Sequence, residues 1–189
     1  MPSWLLLSSL CLLVKAGIEV PRDSCRWLTA TEWHTQLKCD GNEVAVGACS
    51  GGRNKDCPGS AGHQLMCCAV PGYYYSDCAT FTAHHGEPLD CRDHGDGLLL
   101  EGSCASGEHP DCSDGSSVTV ECCSGHLKGA LVGPTDQCTW EYSGHGVQLL
   151  CGRTDEVVAG RCGSGENHDC PGETSHGNLC CELDFITGL

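Results

Sequence analysis

Apolar residues in this chain come in short runs, and in the long stretch after the amino terminus none recurs at the spacing of a helical face. The clearest runs are Val44-Ala45-Val46, Leu98-Leu99-Leu100 and Val157-Val158-Ala159, and they lead into Gly47-Ala48-Cys49, Gly102-Ser103-Cys104 and Gly160-Arg161-Cys162. Runs of this length, rich in Val and Leu and closed by glycine, predict buried strands. A further strand-like stretch, Ser117-Val118-Thr119-Val120-Glu121, runs into the adjacent pair Cys122-Cys123. Successive strand residues point to opposite faces, so such a pair pins both faces of a small sheet layer. Segments such as Ser106-Gly107-Glu108-His109-Pro110-Asp111 combine Gly, Pro, Ser and Asp and predict exposed turns. The elements add up to an all-β fold.

The apolar pattern is threefold because the cysteines are. Eighteen of the 19 cysteines fall into three copies: Cys25, Cys39, Cys49, Cys57, Cys67 and Cys68; Cys78, Cys91, Cys104, Cys112, Cys122 and Cys123; Cys138, Cys151, Cys162, Cys170, Cys180 and Cys181. Other positions keep the same register, which marks an internal repeat. Leucine stands two before each second cysteine (Leu37, Leu89, Leu149) and glycine two before each third (Gly47, Gly102, Gly160). Aspartate immediately precedes each fourth (Asp56, Asp111, Asp169). The modules are therefore residues 25–68, 78–123 and 138–181, with Ala69 to Asp77 and Ser124 to Gln137 as linkers. Each is near the size at which an apolar core alone does not offset chain entropy. Three disulfides per copy, at ~2–4 kcal/mol each, supply the difference, although spacing leaves all fifteen pairings per copy open.

The remaining cysteine, Cys11, lies in the apolar run Trp4 to Val14, followed by a small-residue site ending at Ala16. Residues 1–16 read as a signal peptide, and with the cysteine usage they predict a secreted, extracellular chain without membrane insertion. Cutting after Ala16 removes one cation, Lys15, and no acid, taking the formal charge from -15 to -16. An acidic chain of this kind argues against nucleic acid as a partner.

Six cysteines closing on a vicinal pair, with Gly-x-Cys after an apolar strand, resemble the modules of the Cys/His-rich C-terminal domain of proprotein convertase subtilisin/kexin type nine. The segments Cys78-ATFTAHHGEPLD-Cys91 and Cys138-TWEYSGHGVQLL-Cys151, each with a central His-Gly, are similar as well. The resemblance covers residues 25–181, in shortened copies and without a protease domain. It implies three small disulfide-stapled, β-sandwich-like modules in a pseudo-threefold arrangement, akin to the resistin trimer. It also implies a nested pairing: Cys25–Cys68, Cys39–Cys67, Cys49–Cys57; Cys78–Cys123, Cys91–Cys122, Cys104–Cys112; Cys138–Cys181, Cys151–Cys180, Cys162–Cys170.

Enzyme chemistry finds no footing in the motifs. Gly163-Ser164-Gly165 matches no nucleophile elbow, and neither Cys-x2-Cys zinc spacing nor a phosphate-binding glycine loop occurs. The expectation is a non-enzymatic protein with no cofactor and no metal site. Ca²⁺ enters as a weak candidate partner through Asp56, Asp111 and Asp169 and the Asp93-to-Gly97 stretch, although Asp in such turns ordinarily caps its own backbone. The 10 histidines suit solvated loops, yet several hold equivalent places, including His34, His84, His85 and His145 before the second cysteines and His63 and His176 before the fifth. Their protonation would move the charge from -16 to -6, which suggests a pH response.

The residues put forward for partner contact are Tyr73, Tyr74, Tyr75, His84, His85, His109, His145 and His168, the tyrosines as an aromatic patch in the first linker. The predicted function is binding: turns of three modules presented to an extracellular protein or cell-surface component. The alternatives are an acidic matrix or mineral-associated structural protein, and a secreted protease inhibitor or toxin.

Overall fold

The computed structural model describes residues 17–105, 111–112, 115–163 and 168–187. Residues 1–16, read from the sequence as a signal peptide, and His109 lie outside them. The fold is all-β: β1 (Cys25–Ala30), β2 (Leu37–Lys38), β3 (Glu43–Ser50), β4 (His63–Ala69), β5 (Tyr73–Ala83), β6 (Leu89–Asp90), β7 (Leu98–Ala105), β8 (Val118–Leu127), β9 (Ala130–Ser143), β10 (Leu149–Leu150), β11 (Glu156–Gly163) and β12 (His176–Phe185). Each copy contributes four strands, and in each the fourth lies antiparallel between the first and the third: β1-β4-β3, β5-β8-β7 and β9-β12-β11.

The predicted linkers are strands. Tyr73 to Ser76 of β5 pair with Leu127 to Ser124 of β8, and Leu127 to Gly125 pair in turn with Ala130 to Val132 of β9. Alternating side chains explain the difference, since Tyr73 and Val132 are buried while Tyr74 is exposed. The stretch before the first cysteine is also fixed, with Ile18 N–H donating to Leu183 O at 2.8 Å and Val20 N–H to Thr154 O at 2.8 Å.

All nine disulfides close within a copy, joining first to sixth, second to fifth and third to fourth cysteines. Cys25 stands directly opposite Cys68, and Cys138 opposite Cys181, across their strand pairs. The vicinal cysteines divide between faces as strand geometry requires: Cys67, Cys122 and Cys180 enter one common core, whereas Cys68 and Cys181 lie in separate clusters.

That common core takes the same positions from every copy. Cys39, Cys91 and Cys151 meet there with Ala45, Leu100 and Val158. The copies thus do not each bury a private core on this face; they bury one between them.

The short strands join the copies. β2 of the first copy pairs with β7 of the second, β6 of the second with β11 of the third, and β10 of the third with β3 of the first. Each pairing brings a repeated leucine beside a repeated glycine. A Cβ at Gly47 would stand 2.7 Å from Leu149 O, at Gly102 3.0 Å from Leu37 O, and at Gly160 2.4 Å from Leu89 O. The register breaks by one residue just before each of these glycines. A bulge of this kind turns the strand and lets the neighbouring backbone approach.

Candidate functional site

The chemistry-bearing side chains gather at the junctions between copies, in an outer ring and a buried centre. The ring is built from the residue six before each second cysteine: Trp33, His85 and His145. Trp33 Nε1 donates to Asp111 Oδ2 at 2.8 Å, His85 Nε2 lies 3.1 Å from Asp169 Oδ2, and His145 Nε2 lies 3.0 Å from Asp56 Oδ2. Every partner is the aspartate before the fourth cysteine of another copy, so the three contacts follow one cyclic order.

The glycines after the two histidines make that approach sterically feasible. Gly86 and Gly146 hold φ of +79° and +71°, and an added Cβ would meet Asp169 Cβ at 2.6 Å and Asp56 Cβ at 2.7 Å. Their N–H groups donate across the junction to Gly163 O and Ser50 O, both at 3.0 Å. In the first copy His34 takes the glycine's place, and Trp33 is instead flanked by Arg53, 5.3 Å from its ring and 3.3 Å from Asp111.

Inside the ring lies a polar centre made by β3, β4, β7, β11 and β12. Arg161 is 0% exposed, and its two Nη groups donate to Ser103 Oγ and Ser50 Oγ, both at 2.9 Å. Ser103 Oγ lies 3.3 Å from His63 Nε2, and His63 Nδ1 lies 3.0 Å from Cys49 O. His63 Nε2 also lies 3.1 Å from Ser103 O, so the two ring nitrogens face backbone carbonyls of two copies, and the tautomer sets which of them donates. Burial, with the nearby Arg161 charge, pushes the His63 pKa down to about 3, against the pull of the two carbonyls. Burial first, then Arg161 and His145, take His176 down to about 3 as well. Arg161 itself is lowered to about 10 by burial alone.

A second buried pair sits nearby in β5 and β7. Tyr73 Oη donates to Glu101 Oε1, and burial pushes the wholly enclosed Glu101 carboxyl well above the usual carboxylate range.

The residues singled out for partner contact separate accordingly. Tyr73 is buried against Glu101, which takes it out of the three-tyrosine patch, while Tyr75 is half-buried with its Oη donating to Cys39 O at 2.9 Å. Tyr74 is 47% exposed and stacks on His126, with ring centroids 4.8 Å apart. His84 is exposed and lines a shallow hollow of about 350 Å³ with Thr82, Glu87 and Ser116. His168 is exposed with Nδ1 3.0 Å from Ser175 Oγ, whereas His85 and His145 belong to the junction ring. Cys78, Glu121 and Cys123 come within metal-ligand distance of one another, but both sulfurs are tied in one disulfide and offer no thiolate.

Arg161, Ser50, Ser103 and Glu101 were not singled out from sequence. One signal was present: Arg161 fills the middle of Gly-x-Cys, where the other copies carry Ala48 and Ser103, and so puts a charge inside a buried strand. No protein-family model matches the chain, and no curated protein is similar to it over its sequence.

Proposed function

We propose that this chain is a secreted, non-enzymatic binding protein whose three Cys-rich modules close about a pseudo-threefold axis and present outward turns to an extracellular protein or cell-surface component. The observation that carries this reading is the cyclic joining of the copies. Each lends a two-residue strand to another, and each aspartate before a fourth cysteine receives a contact from another copy. Internal disulfides then leave the scaffold little freedom, so surface side chains such as Tyr74, His126 and His84 are held in fixed relation. Preorganisation of that kind reduces the ordering cost of binding a macromolecule.

A dense disulfide framework belongs to oxidising compartments, in keeping with the leader read over residues 1–16. The similarity to the Cys/His-rich convertase domain supports the modular reading and carries no partner with it. Binding to a protein is favoured over a Ca²⁺-linked matrix role because Asp56, Asp111 and Asp169 are each engaged by another copy.

Expression of the full chain in cultured secretory cells tests the first half of the proposal. The expected product is in the medium, oxidised, and begins just after Ala16; retention in the cells overturns it. The second half is tested by immobilising the purified protein and capturing from extracellular fluid. Stoichiometric retention of one protein is expected. Retention that requires Ca²⁺ and vanishes in salt favours the matrix reading, and inhibition in a protease panel favours the inhibitor.

A further inference from the structure

Among the described residues the buried centre holds a cation with no counter-charge. Arg161 is wholly enclosed, and its hydrogen-bond partners are two neutral hydroxyls, Ser50 Oγ and Ser103 Oγ. Its Nε–H has no partner among the described residues, and neither ring nitrogen of fully buried His176 makes a hydrogen bond of good geometry with them, although the Val147 backbone acts on the ring. The ionisable groups that act on this place electrostatically are His63, His145 and His176, and among the described residues no carboxylate acts on Arg161. The His145 ring does lie 3.0 Å from Asp56, whose side chain is 48% exposed at the rim. Among the described residues the Arg161 cation is the one formal charge in this interior and its Nε–H is an orphan donor, while the orphan acceptor Asn178 Oδ1 belongs to the residue paired with Arg161 across β11 and β12.

We propose that this centre is a binding site for a small monovalent anion of halide size, held between the Arg161 guanidinium and the neighbouring hydroxyl and imidazole donors. A buried guanidinium is costly unless an opposite charge and hydrogen-bond acceptors accompany it. Arg161 cannot escape the cost by deprotonating, since even lowered to about 10 its pKa leaves it charged at neutral pH. Adding an anion supplies both the charge and the acceptor for Nε–H. His176 adds an N–H when its tautomer or protonation allows, and Ser50 and Ser103 can turn their hydroxyl protons inward.

The site is also unique to the assembled protein. Ser50 comes from the first copy, Ser103 from the second, and Arg161 and His176 from the third, so an isolated copy does not contain it. An anion there would bridge elements from all three and act as a mass-action stabiliser of the closed arrangement.

Thermal unfolding of the full oxidised chain in sodium chloride, sodium bromide and sodium gluconate at constant ionic strength tests the proposal. The expected result is a midpoint that rises and saturates as halide replaces gluconate, with chloride and bromide alike. Crystals soaked in bromide should show an anomalous peak in contact with the Arg161 side chain. Arg161→Met should abolish the halide dependence; if that variant does not fold, the two wild-type measurements still decide. Equal midpoints in halide and gluconate overturn the proposal, even with a bromide peak, because that means binding at crystal concentration only. A halide-dependent midpoint with no bromide peak at Arg161 overturns it too, since the stabilisation then arises elsewhere.

Discussion

Acidification should loosen the centre, and His176 offers the cleanest measure of it. Its pKa falls from an ordinary 6.5 in the unfolded chain to about 3 when folded. A depressed histidine pKa means the unfolded chain binds the extra proton, so the stabilisation is complete above pH 6.5 and is lost as pH falls toward 3. Between pH 7.5 and 5.0 the loss works out at about 2 kcal/mol for one such histidine, and about twice that for His63 and His176 together.

Glu101, its carboxyl raised by burial, contributes with the opposite sign over the same range. The informative quantity is therefore the difference between wild type and His176→Leu, in which that contribution cancels. Leucine removes the titrating ring, and the contact with the Val147 backbone that goes with it is made by the neutral ring at both pH values and so cancels. Denaturant unfolding of the disulfide-intact proteins, followed by tryptophan fluorescence in chloride-free buffer at both pH values, gives the comparison. The expected outcome is a pH-dependent loss smaller by about 2 kcal/mol in the variant. Equal losses in the two proteins would refute the argument, because His176 would then titrate alike in the folded and unfolded chains.

Glu101→Gln should stabilise the protein at pH 7.5 and have little effect at pH 4, since a raised carboxyl pKa costs stability as pH climbs above the ordinary carboxylate range; unfolding at the two pH values checks the sign. Gly146→Ala should cost ~1–3 kcal/mol, because a Cβ there meets Asp56 on a backbone with φ +71°. Gly144→Ala, with nothing within 4 Å of the added atom, should stay within ~0.5 kcal/mol, and thermal melts of the pair make the comparison. Peptide mapping without reductant should recover Cys39 linked to Cys67, and replacing both by alanine should lower stability by ~2–5 kcal/mol.

How far the sequence could be read depended on where a residue's partner lies. Val44 to Val46, Leu98 to Leu100 and Val157 to Ala159 announced strands because burial on a sheet favours branched and apolar side chains locally, and all three lie in strands. Tyr73 to Tyr75 were read as a linker patch because nothing local shows that Leu127 to Gly125 pair with them. The repeated aspartates read as backbone caps or Ca²⁺ ligands for the same reason, their partners Trp33, His85 and His145 being in other copies.

The sequence by itself determined the repeat, the strand content and the need for disulfides, all of which follow from spacing and composition within about 45 residues. Only the tertiary structure decided what the repeated leucines, glycines and aspartates are for. A strand's alternation can be read from its own residues, whereas contacts such as Leu149 on Gly47 or Arg161 on Ser50 join positions about 100 residues apart. The same long-range closure places a guanidinium in the interior, where the loss of water gives its charge consequences that no local pattern reveals.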